Sequence, residues 1–80
     1  MVRYEHSMIE WYWSPPPNVD PATFRPSFTV FSGSGRSESH QGGNAELTAY
    51  LSKLGQSGWR VTTAVHSANW ILWTLEREVG

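Results

Sequence analysis

Between Asn44 and Val65 the spacing of apolar residues switches from a helical to a strand period, and this switch constrains the fold more than any other feature of the chain. Leu47, Tyr50, Leu51 and Leu54 fall at i, i+3, i+4 and i+7, which aligns them as one stripe of an α-helix. Asn44 is placed to cap that helix, because its side-chain oxygen can accept a bond from an unpaired first-turn N–H. Glu46 in the first turn and Lys53 in the last each carry the charge that the helix dipole favours there. Gly55 follows Leu54 as the expected left-handed terminating residue, and Gly58 allows a second change of direction. Trp59, Val61, Thr63 and Val65 then alternate with Arg60, Thr62, Ala64 and His66, the period of a half-buried strand.

The rest of the chain must supply the sheet under this helix. Residues 2–13 form the first expected strand, with Val2, Tyr4, His6 and Met8 on one face and Ile9, Trp11 and Trp13 on the other. Apolar character changes face at Met8–Ile9, which implies a bulge there or a strand covered on both faces. Residues 14–26 hold all five prolines and form a stiff connector, extended where prolines adjoin. Ser27 to Phe31 is a short second strand, with Phe28 and Val30 on one face, able to pair with the first across the proline connector. Residues 32–43, rich in Gly and Ser, are expected to be a flexible loop. Asn69 to Arg77 is the last strand, with Trp70 and Leu72 on one face and Ile71, Trp73 and Leu75 on the other. The expectation is a single α+β domain over residues 1–80: an antiparallel sheet of three to four strands in the order β–β–α–β–β, with one helix packed on one face.

Small size sharpens the functional question. A domain of 80 residues buries only about 60% of its unfolded surface. It has no cysteine, so neither disulfides nor thiolate metal sites can reinforce it. It does have five Trp, three Tyr and three Phe, each able to bury roughly 150–250 Å². One helix covers one face of a sheet, so some of Trp11, Trp13, Trp70 and Leu72 are expected to leave an aromatic surface on the other, with burial inside the monomer and burial at an interface both open for Trp11 and Trp13. The alternation with Val61 and Leu75 assigns Trp59 and Trp73 to the core.

The helix, the Leu54-Gly55-Gln56-Ser57-Gly58-Trp59 turn, the early Tyr4–Glu5 and the closing Leu75-Glu76-Arg77 together resemble a family of small bacterial proteins known as domain-of-unknown-function family 4177. The resemblance spans roughly residues 2–13 and 44–78. It implies a compact sheet-plus-helix fold, and it implies no reaction and no catalytic residues.

Charge and motif content limit the chemistry. The net charge is −1, the isoelectric point about 6.2, and the six basic residues are scattered, which argues against a nucleic-acid groove. The opening MVRYEHSM is too polar for a secretory signal, and the run Trp70 to Trp73 is far too short to span a membrane. These features point to a soluble cytoplasmic protein. His6 and His66 could be neighbours across the sheet, with Glu5, Glu10 or Asp20 as a third metal ligand, but no ligand-spacing motif supports a metal or cofactor site. A Ser/His/acid triad lacks any nucleophile-elbow context. Gly33, Gly35 and Arg36 could cradle an anion, although the loop lacks the lysine and spacing of a phosphate loop.

Two functional readings follow. The first is a non-catalytic binding or assembly module that homodimerises through its aromatic sheet face. The second is a small-molecule binder, an accessory or cyclase-like protein, in which Trp11, Trp13 and Trp70 hold a flat apolar ligand and Glu10 or His66 supplies polar contacts. A third, nucleic-acid binding by base stacking, would normally bring a basic groove with it.

Overall fold

The computed structural model describes residues 2–79. The elements in chain order are β1 (Arg3–Tyr12), β2 (Ser27–Ser32), β3 (Ser37–Gln41), α1 (Asn44–Gln56), β4 (Arg60–His66) and β5 (Trp70–Val79). The strands form one five-stranded sheet in the order β3-β2-β1-β5-β4, with every neighbouring pair antiparallel. The fold is α+β, and the strand count exceeds the expected three to four by one or two.

The extra strand is β3, which lies inside the segment expected to be a loop. Its sequence, Ser-Glu-Ser-His-Gln, carries almost no intrinsic strand preference. The ladder to β2 holds it, helped by a Thr29–Ser39 hydroxyl pair 3.0 Å apart and by the His40 ring stacked on Phe28 at 5.2 Å. The turn before it is closed by the Gly35 N–H donating to the Ser32 carbonyl and the Ser32 N–H donating to the Arg36 carbonyl.

β1 is the central strand, in unbroken register with β5 from Arg3↔Val79 to Tyr12↔Trp70. No bulge occurs at Met8–Ile9; the strand is apolar on both faces there because each face meets a different environment. The sheet's irregularity falls instead between Val61 and Thr63 of β4. The proline connector bends twice, with the Val19 N–H bonded to the Pro16 carbonyl and the Thr23 N–H to the Asp20 carbonyl.

The core lies between the helix and one sheet face. Ile9, Trp11, Phe28, Leu75 and Leu47 are buried, and Tyr50, Leu51 and Leu54 pack against them. The stripe read from spacing is therefore the stripe that packs. Ser7 is buried beside these residues, and its hydroxyl donates to the Phe31 carbonyl at 2.9 Å, which satisfies it.

Both helix ends differ from expectation by one local choice. The N-cap is Gly43, with Asn44 the first helical residue, and the Glu46 carboxylate accepts the Gly43 N–H at 2.9 Å. That return of Glu46 fills the space over Gly42, where any Cβ would come within 2.5 Å of the Glu46 Cβ. At the other end the helix runs on through Gly55 to Gln56, and the left-handed residue is Gly58, at φ 93°. The Trp59 N–H reaches the Leu54 carbonyl and the Gly58 N–H the Gly55 carbonyl, the paired bonds of a Schellman termination.

β4 is exposed along its whole length, against the expectation of a half-buried strand. It is an edge strand beyond the reach of the helix. Trp59, just before it, and Trp73 are both half-buried and pack against the core rather than lying within it.

Candidate functional site

The sheet separates the residues that sequence parity grouped into one platform. On β1 the odd residues Ser7, Ile9 and Trp11 face the helix, and register places Leu75, Trp73 and Ile71 of β5 on that same side. The even residues, including Glu10, Tyr12, Trp70 and Leu72, face the opposite side, which no element covers. Trp11 and Trp13 therefore cannot share a surface with Trp70 and Leu72. The expected single platform becomes two aromatic surfaces, one on each face, because one face of the sheet is wider than one helix can cover.

On the helix side, Trp11, Trp13, Ile71, Gly43 and Asn44 line a cleft of about 410 Å³. Trp11 forms its inner wall: it is only 8% exposed, and its indole N–H donates to the Gly42 carbonyl at 3.2 Å. Trp73 stacks on Trp11 with centroids 6.3 Å apart and planes 24° from parallel. Trp13, whose backbone N–H donates to the Asn69 carbonyl, forms the outer side, its ring tilted 49° to Trp11 at 5.6 Å. Together with Ile71 these rings form an open, mostly apolar depression beside the first turn of α1.

On the open side, Tyr12 and Trp70 face each other across the β1–β5 pair, and Leu72 lies opposite both Glu10 and Val65. Phe31 lies opposite Met8 across the β1–β2 pair, and Phe31 is 42% exposed and Val65 53% exposed. Glu10 sits among these residues between Thr29 and Leu72. Polar groups collect at the other end of this face, where the Glu76 carboxylate pairs with Arg60 and lies 3.8 Å from His6 Nε2. The same carboxylate holds the Arg60 guanidinium above its ordinary pKa, chiefly through their hydrogen bond.

The remaining candidates fall apart. His66 is exposed at the far end of β4, opposite Ile71, whereas His6 is on β1 with β5 between them, so the two are not neighbours. His66 and Glu10 lie on different faces and cannot serve one ligand. Gly33, Gly35 and Arg36 lie in the β2–β3 turn, and the Gly35 N–H that an anion cradle would use is taken by Ser32. Among the described residues, no group of three or more His, Asp or Glu side chains could hold a metal ion. Among the described residues, no helix is long and apolar enough to cross a membrane.

Sequence reasoning passed over one cluster. Phe28, His40 and Tyr50 cluster at the β3 edge, His40 stacked on Phe28 and Tyr50 tilted against both, 5.1 Å from His40. His40 Nε2 approaches a Glu38 carboxylate oxygen to 3.0 Å without the alignment of a hydrogen bond. Burial, and then the Glu38 charge, raise the Tyr50 phenol above its ordinary pKa of 10.0. Only a pairing of residues 37–41 with β2 could have revealed this cluster, and those residues lack the pattern that signals a strand.

Comparison with protein-family models, with curated proteins and with solved structures finds no match to this chain. The functional reading rests on the two surfaces themselves.

Proposed function

We propose that this protein is a non-catalytic assembly module that self-associates through the open face of its sheet. One observation carries the reading: among the described residues the only helix covers one face, and the other carries the exposed Met8, Phe31 and Val65 around the half-buried Tyr12, Trp70 and Leu72. Indole is also left over on this face: Trp70 is partly exposed in the single chain.

The dimensions suit a second copy. Five strands about 4.8 Å apart, paired over five to ten residues of about 3.3 Å each, present roughly 400–800 Å². Stable interfaces bury about 800 Å² per partner, so a whole face is of the required order and half of one is not. Two such sheets would pack about 10 Å apart with their side chains interdigitated. The ion pairs Glu5–Arg77 and Glu76–Arg60 join neighbouring strands and converge on no shared point where a substrate could react, which favours a structural role for them. A cytoplasmic setting belongs to the same proposal and agrees with a chain free of cysteine.

Sedimentation velocity from low to high micromolar protein tests the reading. The expected result is a monomer–dimer equilibrium that Leu72→Asp shifts to monomer. A single monomeric species across the range, in the unsubstituted chain, would overturn it.

A further inference from the structure

We propose that the cleft between Trp11 and Trp13 is a binding site for an uncharged, planar aromatic molecule of one or two fused rings. This site lies on the helix side of the sheet and is independent of the open face and of any self-association through it.

Shape argues for a planar guest. The volume of about 410 Å³ lies within the range of roughly 300–1,000 Å³ typical of small-molecule sites. Trp11 and Trp13 lie with centroids 5.6 Å apart and planes tilted by 49°, too close for a ring between them. A guest therefore lies against both from the side that Ile71, Gly43 and Asn44 line, where a flat ring gains more contact with the indoles than a rounded aliphatic one.

The inner wall is already fixed. Trp11 is held by its bond to Gly42, by Trp73 stacked on it and by burial in the core. Binding therefore requires little ordering beyond Trp13, and preorganisation of this kind favours affinity.

Lining chemistry sets the charge of the guest. Trp11, Trp13, Gly43, Asn44 and Ile71 carry no ionisable side chain. The Gly43 N–H is bonded to Glu46, whose carboxylate stands at the rim beside Gly42 and opposes an anion. For a cation the rim carboxylate is already engaged by the Gly43 N–H, and none of the lining residues carries a charge to pair with it inside the cleft. Asn44 supplies the polar contact, suited to a single ring N–H or carbonyl on the guest.

The test uses the whole isotope-labelled protein, at a concentration where sedimentation reports one species, titrated with indole, cyclohexanol and indole-3-acetate. Expected are saturable shifts of the Trp11 and Trp13 indole N–H resonances with indole and none with cyclohexanol. Indole-3-acetate should bind no more tightly than indole. Trp13→Ala should weaken indole by about tenfold or more. Ile71→Trp, which fills the notch without removing a wall, should do the same and decides the matter should Trp13→Ala fail to fold. Non-saturable shifts, an equal response to cyclohexanol, tighter binding of indole-3-acetate, or indole binding that survives Ile71→Trp would each overturn the proposal.

Discussion

The Arg77 guanidinium lies over the Trp59 indole, 4.7 Å from the ring centroid, and so ties the turn that ends the helix to the last strand. The same guanidinium donates to the Glu5 carboxylate through Nε at 2.6 Å and reaches the Ser57 carbonyl at 3.4 Å. One side chain thus joins β1, β5 and the helix terminus. Arg77→Ala should lower stability by about 1–2 kcal/mol, most of it from lost stacking and packing, because the partly exposed ion pair adds little. Arg77→Lys keeps the charge but loses the planar fork and should recover less than half of that. Urea unfolding followed by circular dichroism measures both.

Gly58 and Gly55 should respond in opposite directions. Gly58 is left-handed, so Gly58→Ala forces a Cβ into a disfavoured conformation and should cost about 1–2 kcal/mol. Gly55 is helical, with open space where its Cβ would stand, so Gly55→Ala should stabilise by about 0.5–1 kcal/mol. If the helix ended at Gly55 the signs would reverse, and thermal denaturation of the two variants distinguishes the cases.

Phe31→Ser and Val65→Ser should weaken self-association without lowering the stability of the monomer. Both side chains are exposed in the single chain, and neither belongs to the core cluster. The expected pattern is an unchanged urea midpoint at low protein concentration together with a loss of the concentration dependence of sedimentation.

Stability should fall at alkaline pH through Tyr50. Its pKa is raised in the folded state, first by burial and then by Glu38, so folding favours the neutral phenol. That contribution is fully present below the unfolded value near 10 and is lost as pH rises through the higher folded value. Tyr50→Phe should flatten the alkaline limb of a stability–pH curve, and Glu38→Gln should flatten it partly. An unchanged alkaline limb in Tyr50→Phe would remove Tyr50 from the account.

Elements with a strong local period were legible in the sequence. Leu47, Tyr50, Leu51 and Leu54 announced the buried stripe of α1, and parity correctly separated Trp70 from Ile71. What remained hidden depends on partners distant in sequence. β3 is a strand because β2 lies beside it, and nothing within Ser37–Gln41 encodes that neighbour. Parity divides each strand into two faces but does not say which face of β1 matches which face of β5. Only the register Trp11↔Ile71 brings Ile71 to the cleft and sends Trp70 and Leu72 to the other side. The helix end was misplaced for a local reason: two glycines three residues apart both suit a terminator, and the bonds to Leu54 and Gly55 select the second.

The irregularity between Val61 and Thr63 interrupts the outer rim of the sheet, where β4 offers unpaired backbone groups to any passing strand. A rim broken in this way is a poor template, so copies of the protein are discouraged from joining end to end into ribbons without limit. In the proposed pair, flat side stacked on flat side would use up the sticky surface in a single step, a closed arrangement that a fibre is not.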